Sequence, residues 1–117
     1  MLARTANWLP VLMTMAVTFF TSSIPGSRAP ALFPFQDATY HFYIFFLLAL
    51  LFACALKNTF ELKAPNIIFI TFIFGLSWGL SDELHQFFVP LRSTSGLDVF
   101  IDSLATFAGA MFKQWQK

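Results

Sequence analysis

The run from Tyr40 to Leu56, YHFYIFFLLALLFACAL, limits the possible folds more than any other part of the chain. It is almost continuously apolar and does not alternate, so it reads as a helix that is apolar nearly all round. Three further runs can be drawn, at about 8–24, 65–89 and 97–112. Four such runs could not close a membrane barrel, so strands are set aside. Composition then chooses the solvent. Hydrophobic residues make up 57% of the 117 residues, charged residues 11%, and there are 17 Phe. Soluble domains carry about 25% charged residues, and a chain this short cannot enclose so much apolar surface in its own core. The expectation is an all-α membrane protein. It is a four-transmembrane-helix bundle forming a single domain over 1–117, with helices at about 8–24, 40–56, 65–89 and 97–112. A span needs roughly 17–25 residues. The first, second and fourth runs are therefore short or marginal, and the fourth carries two acids.

The remaining global features are quickly read. Arg4, an apolar stretch and Ser27-Arg28-Ala29 resemble a secretory signal, but Pro30 would directly follow the cut. The first segment is read as a retained anchor. Pro25 to Gln36, with three Pro and one Gly, reads as an irregular loop. The single Cys54 excludes an intramolecular disulfide and reads as a small hydrophobe. A net charge of +1 with no basic run argues against a nucleic-acid partner. With the N-terminus in the cytoplasm, the inner side receives Arg4, Lys57, Lys63, Lys113 and Lys117, and the outer side receives Arg28 and Arg92. The positive-inside rule thus places both termini in the cytoplasm of a multi-pass plasma-membrane protein.

The chain has six acids, and Asp82, Glu83, Asp98 and Asp102 fall in SDELHQFFVPLRSTSGLDVFID together with His85, Gln86 and Arg92. Ionisable groups at the ends of apolar helices are costly to keep, which makes them a functional-site hypothesis. Asp82 precedes His85 and Gln86 by three and four residues, so they share a helical face. Gly75 and Gly79 continue that face, while Ala105 and Gly109 extend the stripe of Asp98 and Asp102. Two stripes of small residues predict close packing of the third and fourth helices. Pro90 to Gly96 should reverse the chain and bring Arg92 near both acidic ends. On the orientation above, this cluster faces outward.

Bland readings exist for single residues. Asp98 or Ser95 serves as an N-cap, Arg92 as a headgroup anchor, and His85 as an interfacial polar residue. Asp102, one turn into its helix, is not explained by capping. Several carboxylates held together need a cation, a proton or a bound ion. Catalysis stays open: Asp82 or Glu83 would be the base, His85 an acid or base, and Arg92 a clamp. Ser22 and Ser23 are conceivable nucleophiles in no recognised motif. Protonatable acids between helices also suit transport, although four short helices form a small pathway unless the protein is a homo-oligomer. Asp82 and His85 with Asp98 or Asp102 would make a mixed ligand set. The spacing selects no ion, so no metal site is assigned and the cofactor is left unknown.

The run Asp82-Glu83-Leu84-His85-Gln86, then Phe88-Val89-Pro90, Arg92 and Asp98-x-x-x-Asp102, resembles the signature of the VanZ-like family of small membrane proteins. Ser22-Ser23 at the end of the first helix and Asp37-x-x-x-His41 at the start of the second also fit it. The resemblance extends from about Thr21 to Gly109. Ala38, Phe45, Leu91 and Ala105 depart from the usual basic residue, Tyr, Gly and Gly. The resemblance adds Asp37 and His41 to the substrate-binding set of Asp82, Glu83, His85, Gln86, Arg92, Asp98 and Asp102. It implies a role in the cell envelope and, through the family's namesake, teicoplanin resistance. Membrane lipids, lipid-linked cell-wall intermediates or lipoglycopeptides would be the partners, with lipid binding by the acidic and Arg-bearing site. An intramembrane hydrolase or transferase acting on lipid-linked substrates is the alternative.

Overall fold

A computed structural model describes residues 7–23, 36–88 and 96–115. Side chains are described for these except at 22, 36–38, 96–98 and 115. Among the described residues there are four helices and no strands: α1 (Leu9–Ser22), α2 (Gln36–Thr59), α3 (Ala64–Phe87) and α4 (Gly96–Trp115). The expected loops at 25–35 and 90–95 lie outside the described residues.

The helix limits differ from those of the apolar runs, because backbone hydrogen bonds and caps end a helix, not the end of hydrophobicity. The helix α2 starts four residues before Tyr40, within the polar turn Gln36-Asp37-Ala38-Thr39, and continues through Lys57 to Thr59. An acid in a first turn and a lysine in a last turn both favour the helix dipole. Both α1 and α3 begin with Pro in the first turn, where its missing N–H costs nothing. At the end of α1 the Ser23 N–H bonds back to the Phe19 and Phe20 carbonyls.

The helices run up, down, up and down. Trp8 Nε1 donates to Thr59 Oγ1 at 3.0 Å, joining the start of α1 to the end of α2. At the opposite end Thr21 Oγ1 and Tyr40 OH are 2.6 Å apart. Since the Thr21 hydroxyl already donates to the Val17 and Thr18 carbonyls, the tyrosine is the donor. The most extensive packing is between α2 and α4, which are not consecutive, followed by α3 on α4. The helix α1 sits at the periphery.

Burial is inside out for a soluble protein. On α1 the buried residues include Thr14 and Thr18, whereas Leu12, Met13, Val17 and Phe20 are exposed. Each buried hydroxyl is satisfied within its own helix, Thr14 by the Pro10 carbonyl and Thr18 by that of Thr14. On α3 the buried stripe is Ile67, Thr71, Gly75, Gly79, Asp82 and Gln86. Phe69, Ile73, Leu80 and Leu84 point outward. Lipid removes the penalty for exposed apolar side chains and favours small and polar residues between helices.

The helices α2 and α3 are long and apolar enough to cross a membrane, with candidate spans at Thr39–Thr59 and Ala64–Phe87. At 14 residues α1 is shorter than a span requires. The 20-residue α4 is long enough but includes Asp98, Asp102 and Lys113. An all-helical membrane protein is therefore supported, with two helices meeting the criteria for a span.

Small residues set the closest approaches. A Cβ at Gly75 would overlap the Thr106 side chain, and one at Gly79 would sit 3.1 Å from Asp102 Oδ2. These two contacts bring α3 onto α4; Asp102 lies on the expected stripe, whereas Thr106 stands beside it. Gly109 packs elsewhere. A Cβ there would lie 2.6 Å from the Phe46 carbonyl oxygen and 2.8 Å from Ala49 Cβ, both on α2. The stripe on α4 serves both neighbours, because α4 is wedged between them.

Candidate functional site

The site lies where α1 and α3 end and α2 and α4 begin. Its inner part is a buried triad drawn from three helices. His41 on α2 places Nδ1 2.9 Å from Asp102 Oδ1 on α4, with side-chain exposures of 3% and 2%. An ionised carboxylate only accepts, so Nδ1–H is the donor. Asp82 on α3 joins them, also buried. One ligand-type atom from each of the three lies within 4.8 Å of the others. Two carboxylates held that close need a proton, a cation or further donors around them. Phe45, one turn below His41 and fully buried, stacks on the imidazole at a centroid distance of 6.2 Å. Tyr40 is edge-on to the same ring, with centroids 6.0 Å apart.

The outer part is a second polar pair. His85 Nε2 is 2.8 Å from Ser23 Oγ, and the His85 ring stacks on Phe19 at 4.5 Å. The Ser23 hydroxyl also reaches the Phe19 carbonyl at 2.9 Å. A hydroxyl has one proton. When that proton is donated to Phe19, His85 Nε2–H is the donor to Ser23, and the serine is not activated by a base.

Between the two parts is a partly open cavity of about 190 Å³ lined by Phe19, Trp78, Ser81, Asp82 and His85. Its walls are apolar and its polar groups are few and convergent, the usual form of a small-molecule site. Trp78 Nε1 has no hydrogen-bond partner among the described residues, and neither has Gln86 Nε2, one turn from Asp82 and 1% exposed. A buried amide donor left without an acceptor costs about 1–3 kcal/mol. These donors are suited to oxygen acceptors brought by a ligand or by water. A larger crevice of about 260 Å³ at Pro65, Ile68, Phe69, Phe72 and Phe107 offers no polar side chain for recognition.

The sequence-derived residues are thus divided. Asp82 and Asp102 come together, with Gln86 beside Asp82 on the same buried stripe. Glu83 is half-buried, turned off that stripe. His85 belongs to the outer pair, and the imidazole within the acidic centre is His41. Asp37 and Asp98 are in the first turns of α2 and α4, and Arg92 falls between α3 and α4. The side chains of all three lie outside the described residues. Tyr40 and Thr21 join the site although no motif in the sequence marks them. Tyr40 adjoins His41 and Thr21 precedes the Ser22-Ser23 pair, but nothing in the sequence links one to the other across two helices.

No curated protein and no solved structure gives a significant match to the chain. The VanZ/LLP1 family model matches residues 7–115. That span takes in all four helices and the whole of the triad, and the chain belongs to the VanZ/LLP1 family.

Proposed function

We propose that this protein binds the polar headgroup of a membrane amphiphile at the cavity between α1 and α3. The candidates are a lipid, a lipid-linked cell-wall intermediate or a lipoglycopeptide of the teicoplanin type. The observation that carries this reading is the lining of the cavity. Phe19 and Trp78 supply apolar walls, and Asp82 and His85 converge on the same space. Phe-rich outer helix faces suit contact with acyl chains. Arg92, in the segment joining α3 to α4, would pair with phosphate or carboxylate. In the full reading the four helices span the plasma membrane, both termini are cytoplasmic, and the cavity opens to the cell exterior.

Native mass spectrometry tests it. The protein would be released from micelles doped with phosphatidylglycerol, phosphatidylcholine or teicoplanin. One class should be retained by the wild type and lost in folded Asp82→Asn and Arg92→Ala variants. Retention unchanged in both variants would sink the proposal.

The Ser23–His85 contact favours a second reading, an intramembrane hydrolase or transferase. A serine 2.8 Å from an imidazole is the spacing of a nucleophile and its base. The bond from Ser23 to the Phe19 carbonyl opposes it, because it occupies the proton that the base would remove. Product formed from a lipid-linked substrate by purified protein, and abolished by Ser23→Ala or Glu83→Gln, would establish catalysis. Product formation that survives both changes would exclude these residues as its source.

A further inference from the structure

We infer that His41, Asp82 and Asp102 bind one divalent transition-metal ion of the zinc or manganese class. Spacing along the chain selects no metal, and the mixed ligand set it offers uses His85. The fold supplies a different imidazole. His41, Asp82 and Asp102 come from α2, α3 and α4, each is at least nine-tenths buried, and their ligand atoms lie within 4.8 Å of one another.

Geometry and chemistry agree. Three donor atoms carried by three helices within 4.8 Å of one another can converge on one ion. Binding would displace the Nδ1 proton that His41 donates to Asp102 over 2.9 Å. Imidazole with two carboxylates suits zinc or manganese, whereas calcium and magnesium favour oxygen alone. The scaffold holds the ligands closely, since Gly79 lets the Asp102 side chain lie against α3 and Thr106 Oγ1 bonds to the Asp102 carbonyl at 2.7 Å.

A second observation points to a bound oxygen. Gln86 is 1% exposed, stands one turn from Asp82 on the same buried stripe, and its Nε2 has no partner among the described residues. Three protein ligands leave coordination positions open, and an oxygen held there would be an acceptor for that amide. Asp82 also lines the cavity, which provides a route of entry. The site stands apart from the amphiphile reading, because the ion can be measured with no amphiphile substrate added.

The test uses the full chain in detergent, stripped with a chelator and desalted, then titrated calorimetrically with ZnCl2, MnCl2 or MgCl2. One zinc or manganese ion per chain is expected, with magnesium weaker by more than about tenfold. Asp82→Asn and His41→Gln should each weaken binding by more than about tenfold, while His85→Gln changes it by less than about twofold. Helical circular dichroism and a monodisperse elution peak qualify each variant. Should the triad variants not fold, the visible absorption of the Co2+-loaded wild type reports mixed nitrogen and oxygen ligation directly. Wild-type protein that binds neither zinc nor manganese saturably would overturn the site. So would binding lost in His85→Gln but kept in Asp82→Asn.

Discussion

Where α1 begins, Trp8, Phe52, Phe74, Leu48 and Ile67 fill the bundle with apolar side chains, and Phe52 stacks on Phe74 at 4.0 Å. Where α1 ends, the interior instead holds His41, Asp82, Gln86 and Asp102. Both ends are well buried, yet they depend on different physics. The apolar end gains from many small dispersion contacts, any one of which can be exchanged. The polar end depends on a few directional partners, and removing one leaves the rest uncompensated. A fold that needed only to persist could have used the first solution at both ends. Retaining the second is the strongest sign that this end serves a function.

The largest expected effect contrasts the two directly. Asp102→Leu removes a buried hydrogen-bond partner of His41 and should destabilise by about 3–5 kcal/mol. Leu48→Met, volume-conserving at the apolar end, should cost less than about 1.5 kcal/mol. Unfolding in mixed micelles by SDS titration measures both, and equal losses would break the comparison.

A smaller effect tests whether close packing serves both ends. Gly109→Ala drives a methyl toward the Phe46 backbone carbonyl, which cannot move aside, and should cost about 1–3 kcal/mol. Gly79→Ala meets the Asp102 carboxylate at 3.1 Å, a side chain that can give way. It should cost less in stability but should lengthen the contact with His41, visible as a change in the imidazole NMR shifts. If Gly79→Ala proves the more damaging to stability, the acidic end is the more rigid of the two.

Next in size are single contacts at the apolar end. A double-mutant cycle on Phe52→Leu and Phe74→Leu should give a coupling of about 0.5–1.5 kcal/mol. Trp8→Phe, which removes the bond to Thr59, should cost about 0.5–1.5 kcal/mol. The smallest effect belongs to the rim of the polar end. Ser23→Ala should change stability by less than about 1 kcal/mol, because His85 keeps its stacking on Phe19 and remains accessible to water. A loss as large as that from Asp102→Leu would merge the rim and the triad into one unit.

Much of this architecture is legible in the order of residues. Continuous apolar runs name the helices, and the small residues of α3 and α4 mark where those two approach. The gathering of Asp82, Gln86 and Asp102 follows from helical periodicity and one chain reversal. The identity of the central imidazole does not. His85 is three residues from Asp82, which turns it toward α1, where Ser23 and Phe19 receive it. Only family resemblance points to His41, since it lies far from the acids along the chain. Periodicity assigns Gly109 to the interface with α3, and it packs against α2 instead.

The order of residues therefore settles the helical class and which side chains share a face, because both depend on local periodicity, and its total apolar content points to lipid as the solvent. It leaves open which face meets which neighbour. That choice rests on how four helices wedge together, here with α2 and α4 as the main interface and α1 outside. The consequence is chemical. The packing, not the spacing, separates the two histidines. It gives one to a buried pair of carboxylates and the other to a serine at the rim.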